Sequence, residues 1–403
     1  DMQSLDTFLE KGMPYTEVSR SSNIDNVITQ FLSGVSIMTI DGFDECLLID
    51  CRTYPMRSVS EPWKDRVLRG SRDGFVETLV SNAALLRRRI RDPRFSMELY
   101  GIGRRSRSDV AICYISDSVD QSILDRMRSL IQSIDVDALT MNIESLAECM
   151  FTHKWINPFP KFKYSERPDT ATAAILDGNI VIMVDNSPAV MIIPASIFDI
   201  IEEADDFNFS PMIGSYLRIT RFFFSIVTWI LTPLWLLLVN NPEWVPEFMK
   251  FILITDDITV PVLLQLLILE LAVDGLKLAA VNTPTMLSTP LSIVAGIVVG
   301  EYAVSSGWFN PESLLYMAVV TVGTYGQTNF EMGYAFKFLR VLTLILTQIF
   351  NLGGFIAGVV ISVLMIAFNR TITGKSYIYP LIPWDGKMLK RKVFRVRLPH
   401  SYK

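Results

Sequence analysis

Charged side chains interrupt an otherwise apolar second half of the chain. Glu270, Asp274 and Lys277 follow one another at steps of four and three, and Glu301 lies alone in a later apolar segment. The two steps place the first three charges on one face of a helix. An ionisable group at the bilayer centre costs about 2.5–3.5 kcal/mol on insertion scales, so such groups usually face a polar interior. The pattern indicates ion passage more than catalysis.

Two arrangements fit residues 261–280, which hold three of these charges. The first is an amphipathic helix that lies at the membrane interface or packs against a soluble domain. The second is a helix whose charged face lines water inside an oligomer, where each acid becomes a ring that favours cations and apolar side chains narrow the path. The candidate ion-pathway residues are Glu270, Asp274, Lys277, Glu301, Leu267 and Leu271.

A helical membrane domain is predicted to carry these residues. Residues 222–239 contain no charge, and a helix of this length nearly spans a hydrocarbon core of about 30 Å. The later helix is expected to break at residues 323–326, and the last apolar stretch either tilts strongly or divides at residues 351–354. The further apolar helices are predicted at residues 291–304, 311–322 and 341–368, within a polytopic domain at residues 216–370.

The first half of the chain predicts an α/β (or α+β) soluble domain, because short apolar strands alternate with amphipathic helices. Two subdomains are expected, at residues 1–95 and 96–215, and the first is expected to lack an N-terminal piece. The predicted strand pairs are 35–40 with 46–51, 97–102 with 110–115, and 174–176 with 179–184, the last followed by a strand at 189–193; helices are predicted at 74–90 and 121–134.

A crowd of arginines lies near residue 90. Arg87 and Arg91 share one helix face, whereas Arg88 points elsewhere. The group is either a solvated basic face or an intersubunit clamp, in which guanidinium forks meet carboxylates of a neighbouring copy. The candidate interface residues are Arg72, Asp73, Glu77, Arg87, Arg88, Arg91 and Asp92.

Composition and motifs argue against several function classes. The four cysteines have no CxxC spacing and the chain has only two histidines, so neither a metal site nor a disulfide framework is predicted. Gly101 and Gly103 lack the third glycine of a dinucleotide fingerprint, and neither a P-loop nor an HExxH motif occurs. We therefore expect no cofactor, no enzymatic activity and no nucleic-acid partner.

The distribution of basic residues predicts topology. Arg218 and Arg221 precede the first apolar segment, and residues 371–403 hold eight Lys or Arg against one acid. Short basic flanks belong on the cytoplasmic face, so the soluble half and this tail are expected on the same side, which requires an even number of crossings. Four crossings are favoured, with residues 261–280 not fully crossing. The tail itself is expected to be a solvated end or to touch anionic lipid or a partner.

Several short runs resemble the A-subunit family of spore germination receptors. The chain is similar to that family from about Ser33 onward, and the ending YPLIPWDGK at residues 379–387 is more typical of a sporulation branch than of the nutrient-receptor branch. The other runs are SRDGFVETL at 71–79, LLRRRIRDP at 85–93, ILDG at 175–178, VDNSP at 184–188 and GSYLR at 214–218.

The resemblance implies a multi-pass protein of the spore inner membrane, with its soluble part on the core side. It implies a homo-oligomeric ring of five subunits that conducts ions and amplifies germination, together with a transporter-like B-type partner. The alternatives are the A subunit of a nutrient receptor, a secondary transporter or a membrane scaffold. A secondary transporter is disfavoured because no internal repeat with paired broken helices is evident.

Overall fold

The computed structural model describes residues 17–50, 57–62, 64–151, 157–282, 296–327 and 329–396. The chain divides into two compact units, Asp1–Ser58 and Val59–Lys403.

The smaller unit contains a three-stranded antiparallel sheet. Strands β1 (Glu17–Ser21), β2 (Ser36–Met38) and β3 (Cys46–Asp50) are ordered β1-β3-β2, and helix α1 (Ile24–Leu32) connects the first two. The Asn23 side chain caps α1 by accepting hydrogen bonds from the backbone N–H groups of the first turn. The pairing of β2 with β3 confirms the first predicted strand pair, although residue 51 lies outside the described residues.

The larger unit begins with a five-stranded antiparallel sheet, as in an α+β domain. Its strands are ordered β4-β5-β7-β8-β6. The second predicted strand pair is confirmed, because β4 and β5 run in register from Phe95 opposite Ile115 to Ile102 opposite Ser108. The strands are β4 (Phe95–Ile102), β5 (Ser108–Ile115), β6 (Lys163–Ser165), β7 (Ile180–Val184) and β8 (Val190–Ile193).

Helices cover both faces of this sheet. Alternation along β5 sends Val110 and Ile112 into one core and Ala111 and Cys113 into the other. Helices α3 (Gln121–Gln132) and α4 (Ile143–Met150) pack on the first face, and α2 (Leu79–Arg89) and α5 (Pro168–Leu176) pack on the second. The result is a three-layer domain, and the helix predicted at residues 121–134 is confirmed.

Two sequence predictions differ from this domain. Residues 174–176, predicted as a strand, form the last turn of α5; the helix ends at Asp177, and Gly178 follows at φ 88°. A single hydrophobic run of three residues does not distinguish the two structures, and the strand prediction was wrong. Phe75 and Leu86 are buried in the same core as the sheet, so these contacts join α2 to it, whereas the predicted subdomain boundary lies at residue 95.

The second half of the larger unit is a bundle of helices. Within the described residues, two helices are long and apolar enough to cross a membrane by length and composition: α8 (Pro211–Asn240) and α12 (Phe330–Ala367). Two short helices, α6 (Ile197–Ile201) and α7 (Asp205–Asn208), precede α8. The bundle further contains α9 (Val262–Asn282), a π-helical segment (Gly296–Tyr302), α10 (Ala303–Ser305) and α11 (Pro311–Tyr325).

The helix predicted at residues 311–322 is α11, which ends at Tyr325 with Gly326 as its C-cap, within the predicted break at residues 323–326. Gly323 allows α11 to lie against α8: a Cβ added there would lie 2.6 Å from the Thr228 Cγ2 atom. Its role is close helix contact, which small residues permit. Residues 291–295 of the helix predicted at 291–304 lie outside the described part of the chain.

The last long helix is a hairpin of two arms. Asn351 adopts φ 51° and ψ −130°, which separates a first arm, residues 330–350, from a second arm, residues 352–367. A Cβ added at Gly358 would lie 2.8 Å from Thr343 Cγ2, so the two arms run antiparallel in close contact. The amides of Asn241 and Asn351 exchange two hydrogen bonds of 2.6 and 2.8 Å at the bend. Of the two alternatives for the last apolar stretch, strong tilt or division, the structure shows division at residue 351.

The C-terminal residues pack back onto the sheet domain. Tyr377 is fully buried, and the Lys161 ammonium donates to the Arg370 carbonyl oxygen at 3.0 Å. Helix α13 (Gly386–Val393) lies against α6 and the start of α8. The described part of the tail, up to residue 396, is a docked segment and not the solvated end considered from sequence.

Candidate functional site

The centre of the helical bundle holds a buried ion pair between α9 and the first arm of α12. Arg340 Nε and Nη2 donate to Glu270 Oε1 and Oε2 at 2.5 and 2.9 Å, and Arg340 Nη1 donates to the Thr228 carbonyl oxygen. Arg340 is 2% exposed and Glu270 is 4% exposed. This bidentate geometry is the strong form of the interaction, and it satisfies both buried charges.

A second acid and base lie one turn away. Lys337 Nζ contacts the Asp274 carboxylate, donates to the Glu270 carbonyl oxygen at 3.2 Å, and lies 3.7 Å from Glu270 Oε2. Among the described residues, Asp274 Oδ1 nevertheless has no hydrogen-bond partner, although the atom is buried. The group is therefore paired electrostatically but not fully satisfied.

A small cavity of about 50 Å³ adjoins these side chains. Glu270, Asp274, Lys277, Lys337 and Arg340 all line it, and we call these five residues the bundle cluster. A cavity needs roughly 10–15 Å³ for one water, so this one has room for water or a small ion beside polar partners. With all groups ionised, the cluster carries three positive and two negative charges.

Lys277 makes a different kind of contact. Its ammonium lies 5.2, 5.8 and 5.4 Å from the ring centroids of Tyr325, Phe330 and Tyr334. Three aromatic faces around one ammonium form a cation–π cage, an interaction favoured where water is excluded. Lys277 therefore packs against rings at the end of α11 and the start of α12.

The predicted ion-pathway residues are divided by the structure. Glu270 and Asp274 come together, face α12 of the same chain and line the small cavity there. Leu267 is partly buried, whereas Leu271 and Glu301 are exposed.

Sequence reasoning missed the two basic partners, because they lie about 70 residues away along the chain. A usable signal existed: Lys337 and Arg340 are three residues apart on a helix, and the two acids are four residues apart. Oppositely charged pairs at helical spacing in two apolar helices are complementary.

The arginine crowd near residue 90 uses its acids within the chain. Arg88 and Arg89 both contact Asp73, the latter at 3.1 Å. Asp92 accepts from Arg94 at 2.7 Å, and this hydrogen bond lowers the pKa of Asp92 to about 2. Two of the three carboxylates predicted for a clamp on a neighbouring copy, Asp73 and Asp92, thus already have partners within the chain.

Four other predicted interface residues lie on the surface. Arg87 lies over the Phe95 ring at 4.6 Å and donates to two carbonyl oxygens, so its guanidinium has a local role. Arg72, Arg91 and Glu77 are exposed. Of the predicted interface residues, Arg72 and Arg91 are the arginines whose exposed guanidinium groups are placed for contact with another molecule.

The junction between the sheet domain and α8 contains the densest charge network. Arg218 is 1% exposed; it donates to Glu202 Oε1 at 2.7 Å and to the carbonyl oxygens of Arg391 and Lys392 at 3.1 and 3.0 Å. Arg221 and Arg218 share Asp206, which is fully buried. This network ties the start of the first long helix to both the sheet domain and the tail.

Lys392 brings the tail helix into the same network. Its ammonium contacts the Asp199 carboxylate and lies 3.9 Å from Glu202 Oε2. Burial works to lower the pKa of Lys392, but these two carboxylates outweigh it and raise that pKa above its usual value. Sequence analysis identified the basic tail without its partners, although the acids precede α8 directly and have the complementary charge.

Metal binding finds no support in the described ranges, where three or more His, Cys, Asp or Glu residues do not come together. Burial raises the pKa of the Cys113 thiol far above its usual value, which makes this cysteine unreactive.

Comparison with known proteins identifies the family. The family model described as "Bacillus/Clostridium GerA spore germination protein" matches residues 1–403. Stage V sporulation protein AF of Bacillus subtilis (strain 168) is 36% identical over 99% of this chain and 80% of its own length. The uncharacterized membrane protein YfkQ of the same organism is 26% identical over 95% of this chain and 74% of its own length.

One solved structure also resembles the chain. It is the N-terminal domain of the A subunit of the Bacillus megaterium spore germinant receptor GerK3, which is 31% identical to this chain. The alignment covers 30% of this chain and 93% of the solved chain, with a TM-score of 0.24. The whole-length family match and the 36% identical relative confirm the resemblance found in the motifs, including its sporulation branch. The chain belongs to the GerA family of spore germination proteins.

Proposed function

We propose that this chain is the membrane subunit of an oligomeric ion channel that releases ions and amplifies the response during spore germination. The observation that carries the proposal is the incompletely satisfied bundle cluster, with Asp274 Oδ1 unpaired beside a polar cavity. Buried charge inside apolar helices is costly to keep, and it marks ion pathways more often than packing. Catalysis forms no part of the proposal.

Selectivity for cations is assigned to Glu301 rather than to Glu270. Both oxygens of the Glu270 carboxylate accept hydrogen bonds from Arg340, and the bundle cluster has one more positive than negative charge. Such a cluster gives no ground for attracting cations. Glu301 is exposed, so in a symmetric ring it contributes one free acid per subunit.

The channel is proposed to be a closed ring of five copies with a transporter-like B-type partner. Leu264, Leu271 and Leu278 repeat every seven residues along α9 and are 48, 73 and 63% exposed. A stripe of this kind, next to a cluster buried inside each chain, suits a helix that contacts another copy or narrows a shared path.

The proposed location is the spore inner membrane, crossed several times, with the sheet domain and tail on the core side. The contacts of Arg218 with both the sheet domain and the tail support a common side for the two. A common side requires an even number of crossings.

Ion flux through the purified full chain in liposomes tests the proposal. We expect steady cation conductance in the parent. Removing charge at Asp274 (Asp274→Asn) is expected to change conductance, and Glu301→Gln is expected to reduce the preference for cations over anions. Asp135→Asn is the matched control, because this carboxylate forms an exposed pair in the sheet domain.

The alternatives give different results. Coupled, saturable flux indicates a secondary transporter, and absence of flux with intact assembly indicates a scaffold. Conductance that appears only with a nutrient indicates a receptor A subunit. If Asp274→Asn and Glu301→Gln both conduct and select like the parent, these two acids are structural and the path lies elsewhere. The subunit number follows from particle imaging of the detergent-solubilised protein.

A further inference from the structure

An open cavity of about 680 Å³ lies between the docked tail helix α13, the sheet domain and the start of α8. We call it the tail cavity. Neither the bundle cluster nor the proposed ion path uses it.

Basic side chains dominate its lining. Six cationic side chains face three anionic ones, an excess of three positive charges. The cations are Lys375, Lys387, Arg391, Lys392, Arg395 and Arg218, and the anions are Asp177, Asp199 and Glu202.

Two buried donors in this lining have no hydrogen-bond partner among the described residues. They are Arg395 Nη1 and Ser376 Oγ. A buried unsatisfied donor costs about 1–3 kcal/mol, and more when it is charged. The backbone N–H of Arg395 donates to the Ser215 hydroxyl at 3.0 Å, which positions this part of the backbone beside the cavity.

The segment around the cavity has the composition of a membrane interface. Trp384, Ile382 and Phe394 flank α13 and are 71, 56 and 46% exposed. Exposed aromatic and aliphatic side chains beside lysines and arginines are typical of helices that lie at the lipid headgroup level. Arg218, which lines the cavity, lies only four residues before the uncharged stretch that begins at residue 222.

We infer that the tail cavity binds the phosphate group of an anionic phospholipid headgroup. The guanidinium of Arg395 and the hydroxyl of Ser376 donate to phosphate oxygens, and the excess of cations favours a ligand with net negative charge. Such a lipid joins the tail, the sheet domain and the first long helix in one contact.

Titration of the delipidated full chain in detergent tests this, with the melting temperature reporting bound ligand. Three probes are compared: phosphatidylglycerol, phosphatidylcholine, and inorganic pyrophosphate. Phosphatidylglycerol is expected to bind more tightly than phosphatidylcholine, because both carry phosphate but only the former has net charge. Competition by pyrophosphate with the same variant dependence supports the phosphate site while assigning it to a soluble ligand.

Variants of the two unpaired donors separate the site from general basicity. Arg395→Gln is expected to weaken phosphatidylglycerol binding by roughly ten- to a hundredfold, and Ser376→Ala by roughly two- to tenfold. Ser376→Ala removes only an unpaired hydroxyl, so it leaves folding intact. Lys390→Gln is the matched control, since Lys390 lies on α13 but does not line the cavity.

The inference is overturned if phosphatidylglycerol and pyrophosphate both fail to raise the melting temperature. It is equally overturned if Arg395→Gln and Ser376→Ala bind like the Lys390→Gln control.

Discussion

Replacing Arg340 by Met is expected to be among the most damaging single changes in the helical bundle. The substitution keeps most of the side-chain volume but leaves the buried Glu270 carboxylate without its bidentate partner. Breaking a buried pair by removing one partner costs about 3–5 kcal/mol. Lys337 remains 3.7 Å from Glu270 Oε2 and compensates in part for the lost charge. We therefore expect Arg340→Met to lower the free energy of unfolding by about 3 kcal/mol.

The double variant Glu270→Leu with Arg340→Met provides the decisive comparison. Replacing both charges by apolar groups of similar volume is often neutral or stabilising, so the double variant should be more stable than Arg340→Met alone. Equilibrium unfolding of the full chain in detergent measures all four corners of the cycle. A coupling free energy of about 2 kcal/mol or more is expected from two groups in direct contact.

Arg104→Met is the matched control for burial. Arg104 binds Asp135 with the same bidentate geometry, at 2.9 and 2.6 Å, but both side chains are more than two thirds exposed. An exposed pair contributes about 0–1 kcal/mol. The reasoning is refuted if Arg340→Met and Arg104→Met destabilise equally, or if the changes at Glu270 and Arg340 add without coupling.

Three further changes test other parts of the chain. Hydrogen bonds from Arg128 lower the pKa of Glu98 from 4.5 to about 2. The charge on Glu98 therefore stabilises the fold above about pH 4.5, and this contribution disappears as the pH falls toward 2. The difference in melting temperature between the parent and Glu98→Gln should shrink over that window. Gly358→Leu should destabilise the hairpin of α12 by several kcal/mol in detergent unfolding, whereas Gly353→Leu should not, since a Cβ added at Gly353 meets nothing within 4 Å. Reversing charge at Arg72 together with Arg91 should weaken assembly, as measured by subunit number, and an unchanged oligomer would identify them as a solvated basic face.

The sheet domain was largely predictable because its signals are local. β5 contains a short continuous apolar run, which is typical of a strand buried on both faces, and the apolar face of α3 repeats at helical spacing. Residues 174–176 were predicted wrongly because three apolar residues are too few to show a helical or strand period. Their packing in α5 determines that they are helical.

The charge partners were not predictable from local pattern. Glu270 and Arg340 are separated by 70 positions, and Asp199 and Lys392 by 193. Which acid meets which base depends on how the helices pack, and composition supplies only the candidates. The bend at Asn351 was one of two open alternatives, and the amide pair with Asn241 fixes it through a contact 110 positions away.

The docking of the tail also has a consequence for the order of synthesis. Arg218 is made 173 residues before Arg391, whose carbonyl oxygen it binds, and every long helix of the bundle is translated in between. At about 5–20 residues per second, the interval is on the order of 10–30 seconds. During this time the junction holds Asp199 and Glu202 without Lys392, so it stays open to water. Asp199 therefore gains its ammonium partner only after Lys392 has been translated, so the junction is completed late in synthesis.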